Sequence, residues 1–299
     1  MTDQLLGVLL VFSLLMTGCS PQDDAGSAAE VMAKAHEGDT PIATEGAREP
    51  TVDVETREVT YGETADGTSI TGYFAEPSNP DSVRSAHGRD PDSARLPGLV
   101  VIHEWWGLND NVRTATRRWA GEGYRVLAVD LYGDSTAASP QEAQSLMQSA
   151  TSTPEQISAN LASAHEYLKT EAGAPRVGVM GWCFGGGMTF RAVADRPTAF
   201  DAAVAYYGTP ESMTESVLDD LTTPIMAHFG RQDEVVPPTQ VEAFRSRLDG
   251  QDVEAQVYMY DVGHAFANPS GDSYDEAAAE QAWDRSTDFF RMHLHPAAD

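Results

Sequence analysis

Apolar and polar residues alternate from Thr51 to Tyr61 and again from Ser69 to Ala75, with Asp66-Gly67 between them. A period of two predicts half-covered strands, and the Asp-Gly predicts the turn of an antiparallel pair. From 77 to 95 the chain is Pro, Asp, Ser and Arg with hardly an apolar side chain, which predicts a long, mobile surface loop. The pattern then changes. Leu99-Val100-Val101-Ile102 is continuously apolar, as a strand covered on both faces must be. Further strands are predicted at Tyr124–Val129, Val177–Met180, Ala202–Tyr206, Ile225–Phe229 and Val253–Tyr260. Helical spacing falls between them, at 109–121, 140–150, 154–171, Phe184–Ala194, Pro238–Leu248 and 273–293. Strand and helix alternate, so the expected fold is α/β: a mostly parallel, doubly wound sheet with helices on both faces.

The N-terminal pattern is different. Residues 5–16, LLGVLLVFSLLM, form an apolar run too short to span a bilayer comfortably and of the length of a signal-peptide core. Met16-Thr17-Gly18-Cys19 follows and resembles the bacterial lipoprotein cleavage box. The resemblance implies a leader over 1–18, a lipid on Cys19, and an exported chain held on the cell envelope by that anchor alone. The chain departs from the usual box in having no Lys or Arg before the run and Met16 where Leu is usual. Residues 19–51 are rich in Asp, Glu, Ala, Gly, Pro and Ser without apolar periodicity, which predicts a flexible acidic tether. The folded domain is then expected over 52–295, a length that suits one α/β unit.

Charge narrows the partners. The 299 residues carry 46 acids against 19 bases, a formal charge of −27, and Lys34 and Lys169 are the only lysines. Nucleic acid is excluded as a partner, since phosphate affinity needs clustered Lys and Arg. An acidic surface almost without lysine fits a protein built for molar salt, where the Debye length of roughly 3 Å screens carboxylate repulsion. Two cysteines exclude a disulfide framework and a cysteine-rich zinc site. No H-E-x-x-H or paired metal-ligand spacing occurs, so neither cofactor nor metal is expected. His36 falls in the tether, and His165 and His228 read as a helix-face and a core residue.

One segment carries chemistry. The strand at Val177–Met180 runs into Gly181-Trp182-Cys183-Phe184-Gly185 and then a helix, a G-x-C-x-G version of the nucleophile elbow. A tight turn of this kind needs neighbours without Cβ atoms and lifts its central side chain above the sheet. The helix behind it favours a thiolate, and the Phe184 N–H can donate to an oxyanion. Downstream, Asp233 follows one strand and His264 the next, at the end of the sheet where ligands of open α/β folds bind. The order nucleophile, acid, histidine suits a triad in which Cys183 attacks, His264 takes the proton and Asp233 fixes its tautomer. Glu104, after the first parallel strand, is either a carboxylate near the thiol or a strand-capping acid. Trp106, Trp182 and Phe266, with Trp105 and Phe184, either line an apolar pocket or pack in the core. A glutamine amidotransferase would need His-x-Glu, but Ala265-Phe266 follow His264.

Together HEWWGLN, GWCFGG, GRQDEVVP and GHAFANP, in this order over about 55–293, resemble the dienelactone hydrolase (carboxymethylenebutenolidase-like) family. The resemblance implies an eight-stranded α/β-hydrolase fold and hydrolysis of a small-molecule ester or lactone by a Cys183-Asp233-His264 triad. It further implies oxyanion donors at the backbone of Trp105 and Phe184, and a resting thiol that donates to Glu104. The family's carboxylate-binding arginines are missing: Asn268-Pro269 stand after the histidine segment, and no Arg occurs from Val126 to Pro175. That loss turns expectation away from dienelactone itself and keeps open a non-catalytic envelope binding protein on the same fold.

Overall fold

A computed structural model describes residues 31–39, 41–44, 46–81, 83 and 95–295. The expected leader, Cys19 with its expected lipid, and most of the polar stretch 77–95 lie outside the described residues.

Eight strands form one sheet in the order β1-β2-β4-β3-β5-β6-β7-β8. These are β1 (Val54–Glu63), β2 (Ser69–Pro77), β3 (Gly98–Ile102), β4 (Arg125–Val129), β5 (Val177–Trp182), β6 (Ala202–Tyr206), β7 (Ile225–Gly230) and β8 (Ala255–Tyr260). The hairpin β1-β2 is antiparallel and β2 joins β4 antiparallel; every pair from β4 to β8 is parallel. The helices are α1 (Asp110–Gly121), α2 (Pro140–Thr151), α3 (Pro154–Thr170), α4 (Phe184–Asp195), α5 (Glu215–Asp220), α6 (Pro238–Leu248) and α7 (Glu276–Leu294).

The side chains of β3 explain why the sheet has two covers. Leu99 and Val101 point into a cluster with Trp119 of α1 and Phe290 of α7. Val100 and Ile102 point the other way, toward Leu161 of α3, Phe190 of α4 and Phe244 of α6. All five β3 residues are buried, which accounts for the unbroken apolar run. Local signals set the helix starts: the Asn109 side chain accepts from the Val112 N–H, and Pro154 opens α3.

The tether expectation needs correction for its second half. Residues 31–35 form a helical turn, and the chain to residue 50 lies against the domain as a strap. Ser270 Oγ donates to the Ile42 carbonyl at 2.5 Å, and Thr44 Oγ1 to the Pro269 carbonyl at 2.6 Å. Lys34 pairs with Glu234, Arg48 with Glu276 and Glu280, and Glu49 with Arg117. These partners lie far along the chain, and the strap has little apolar sequence, so hydrophobic periodicity carries no trace of the docking. Among the described residues no helix is long and apolar enough to cross a membrane.

Candidate active site

The sharp turn after β5 is made by glycines that nothing else could replace. A Cβ on Gly181 would collide with the Gly185 carbonyl, and one on Gly185 with the carbonyls of Ile102 and His103. Cys183 between them holds φ +52°, a strained value for a non-glycine residue. Its N–H donates to the Tyr206 carbonyl at 3.0 Å, which pins the turn to β6. The thiol thus stands above the C-terminal end of the sheet, at the mouth of α4.

Asp233 and His264 arrive from the loops after β7 and β8. Cys183 Sγ lies 3.2 Å from His264 Nε2, and His264 Nδ1 lies 2.8 Å from Asp233 Oδ2. A carboxylate only accepts, so Nδ1 carries the ring proton and Nε2 presents a lone pair to the thiol. Asp233 Oδ1 accepts from the N–H groups of Val235 and Val236, both at 2.8 Å, so both of its oxygens are held. All three side chains are buried.

Glu104 lies beside this line. Its Oε1 accepts from Tyr207 Oη at 3.1 Å and its Oε2 from Asn268 Nδ2 at 2.9 Å. Burial, and then the nearby Asp39 carboxylate, push its pKa up to about 8, against the pull of the Tyr207 hydroxyl. The thiol is pushed well above its ordinary value, first by burial and then by the Glu104 charge, while the Phe184 N–H acts the other way. The expected resting bond from the thiol to Glu104 is not the one formed, because Sγ faces His264 and both Glu104 oxygens are engaged elsewhere.

The aromatic expectations divide. Trp182 lines a cleft with Glu104, Asn268, Arg118, Trp283 and Arg48 of the strap, and Cys183 and His264 are not among the residues that line it. Trp106 is 1% exposed and packs on Trp105, and Phe266 is fully buried between Tyr207 and Tyr260, so these two are core rather than cleft wall. Size and position in the motif could not separate the two roles. Trp105 lies on the loop after β3, and Phe184 opens α4 directly after Cys183 at the end of the neighbouring strand β5.

Sequence reasoning missed four residues. Tyr207 and Asn268 hold Glu104; the signal was their place at the end of β6 and within GHAFANP, where Asn268 was read only as a lost arginine. His103 donates from Nδ1 to the Glu104 carbonyl at 2.6 Å and accepts at Nε2 from the Leu131 N–H at 3.2 Å, tying two loops together. Burial lowers its pKa, in keeping with a neutral ring. The fourth is His36, assigned to the tether. It is fully buried, packs against Trp105 with the ring centroids 4.5 Å apart and the planes tilted by 32°, and puts Nε2 3.8 Å from Cys183 Sγ. Its Nδ1 lies 2.6 Å from Asp39 Oδ2, and burial lowers its pKa. Met32 Sδ lies 4.0 Å from the thiol on the same side.

A cysteine at a nucleophile elbow, with His and Asp on the following strand ends of an eight-stranded sheet, defines an α/β-hydrolase. A family model described as the dienelactone hydrolase family matches residues 85–294. The chain belongs to the dienelactone hydrolase family, and with it to the hydrolases of esters and lactones. It is 31% identical over 251 residues to a protein of Escherichia coli (strain K12) named "Putative carboxymethylenebutenolidase", covering 78% of this chain and 91% of that one. It is 32% identical over 207 residues to Protein usf of Aquifex pyrophilus, covering 66% and 89%. Among solved structures, a dienelactone hydrolase-like promiscuous phosphotriesterase from metagenomic libraries has the same fold. It superposes with a TM-score of 0.68 at 22% identity, over 81% of this chain and 99% of that one.

Proposed function

We propose that Cys183, His264 and Asp233 form a catalytic triad that opens a small-molecule ester or lactone through a thioester intermediate. The observation that carries this is the hydrogen-bonded line Sγ···Nε2 at 3.2 Å and Nδ1···Oδ2 at 2.8 Å. His264 takes the thiol proton as Sγ adds to the carbonyl carbon, and Asp233 stabilises the imidazolium. The backbone N–H groups of Trp105 and Phe184 receive the negative oxygen. Collapse of the adduct expels the alkoxide, which takes the proton from His264; from a lactone it stays attached to the acyl chain. Water, deprotonated by the same imidazole, then cleaves the thioester and frees the thiol.

The cleft beside Glu104 and Trp182, which neighbours the triad without including it, speaks for an uncharged or weakly polar substrate. Its arginines, Arg48 and Arg118, are already paired with Glu280, Arg118 in a two-pronged contact at 2.9 and 3.0 Å. A substrate carboxylate would have to displace that acid. In the same reading the chain is exported and anchored through a lipid on Cys19; mass spectrometry of the mature N-terminus, with Cys19→Ser as control, tests that part.

The decisive assay is hydrolysis of short p-nitrophenyl esters and of a dienelactone by the full chain, beside Cys183→Ala. Ester turnover that disappears in the variant supports the triad. Equal turnover in both overturns it, and no turnover by a folded chain favours the non-catalytic binding protein. The ester-to-lactone ratio reports whether the missing clamp redirected specificity.

A further inference from the structure

His36 has no part in the triad chemistry, yet it is built into the site as carefully as His264. Each ring commits its Nδ1 hydrogen to a buried carboxylate, His36 to Asp39 at 2.6 Å and His264 to Asp233 at 2.8 Å. Each therefore aims a bare Nε2 lone pair at one sulfur, at 3.8 Å and 3.2 Å. A thiol has one proton and satisfies one of these acceptors. The second lone pair faces the same sulfur with nothing to receive. The three donor atoms lie within 4.8 Å of one another, and all three residues are buried.

We propose that Cys183, His264 and His36 form an inhibitory binding site for a borderline-soft divalent ion of the zinc class. In a tetrahedral zinc site, Zn–S of about 2.3 Å and Zn–N of about 2.0 Å place sulfur and nitrogen about 3.5 Å apart. The two separations in the structure lie a few tenths of an ångström to either side of that value. Imidazoles held by carboxylates on their far nitrogens are the usual outer arrangement of metal-binding histidines. Asp39 is fixed in turn, its other oxygen accepting from the Asp272 N–H at 3.2 Å. The Met32 sulfur on the same side makes the surroundings softer still. A thiolate and two imidazoles favour zinc over magnesium or calcium, which seek oxygen.

On binding, the Cys183 S–H bond breaks, its proton goes to the buffer, and the sulfur and both Nε2 lone pairs coordinate the ion. A water fills the fourth position. The nucleophile and the base are both consumed, and residue 36 is stapled to residue 183, so the strap locks over the thiol. The sequence hid this set because its members stand 147 and 81 residues apart.

The test is titration of the full chain with Co²⁺, read as thiolate-to-cobalt charge-transfer absorption. This readout does not depend on turnover, so failure of the metal site and failure of the triad assay are distinguishable. We expect one Co²⁺ per chain, one proton released, displacement by Zn²⁺ and none by Mg²⁺. Asp39→Asn should weaken Zn²⁺ binding about 10- to 100-fold, and His36→Ala by at least as much, with circular dichroism confirming that both variants are folded. Absence of the charge-transfer band, or Zn²⁺ affinity unchanged in His36→Ala and Asp39→Asn, overturns the proposal.

Discussion

Two regions meet at Cys183, and they are held by opposite means. The side that carries the proposed triad comes from the ends of β5 and β7, buried along their whole length, and of the half-buried edge strand β8. The strap comes from residues 31–50 and is held by one buried anchor, His36 on Trp105, by a few hydrogen bonds and by exposed ion pairs such as Lys34–Glu234, whose side chains are 69% and 66% exposed. Such pairs contribute little individually. The loops are therefore placed by the bulk of the fold, while the strap is placed by particular contacts and is the part that can leave. Access to a buried thiol needs some such part.

Substitutions can break this contrast, and the largest effects fall on the catalytic side. Cys183→Ala should abolish hydrolysis. Asp233→Asn, which frees the imidazole tautomer, should lower kcat by about 10⁴-fold while leaving the fold intact, as in other triads. Steady-state rates close to the parent's in either variant would remove these residues from the mechanism.

The next effect concerns pH. Glu104 releases its proton near its ordinary value in the unfolded chain and near 8 in the folded one. Below the lower value both states hold the proton and its contribution to stability is fully present. As pH rises toward 8 only the folded state keeps it, so stability falls across that window. Denaturant unfolding from pH 4 to 9 should show a decline on the order of a few kcal/mol that Glu104→Gln flattens. The same variant removes a charge that opposes the thiolate, so the alkylation of Cys183 should titrate at lower pH than in the parent.

Smaller effects fall on the strap. His36→Ala should raise the rate of Cys183 alkylation several-fold at fixed pH by uncovering the sulfur; an unchanged rate would mean that the strap does not control access. Arg48→Ala should cost less than about 1 kcal/mol in thermal unfolding, because its guanidinium is half exposed. A larger loss would place the strap among the structural elements and erase the distinction.

The contrast also explains what could be read from the chain. The strands at Leu99–Ile102 and Ala202–Tyr206 are legible because burial on both faces writes continuous apolar runs. Cys183, Asp233 and His264 are legible because strand ends of a parallel sheet are where chemistry gathers, and glycines mark the turn. Tyr207 and Asn268 escape because their task, holding Glu104, depends on the partner rather than on their own neighbours. The places of Trp106 and Phe266 could not be decided from the chain, because an aromatic in a motif can face the cleft or the core with the same local pattern. His36 escapes most completely. It sits in a stretch with the composition of a disordered linker, and its packing on Trp105 is a fact of tertiary structure alone.

The ion pairs of the strap have one more consequence. Arg48, Lys34 and Glu49 hold it through charges open to solvent, whereas the His36–Asp39 pair beneath is shielded. Dissolved salt weakens the outer contacts and leaves the inner one nearly untouched. Ionic strength should thus be felt at the rim of the strap and not at its seat: brine loosens the outer fastenings while the plug at the thiol stays in place.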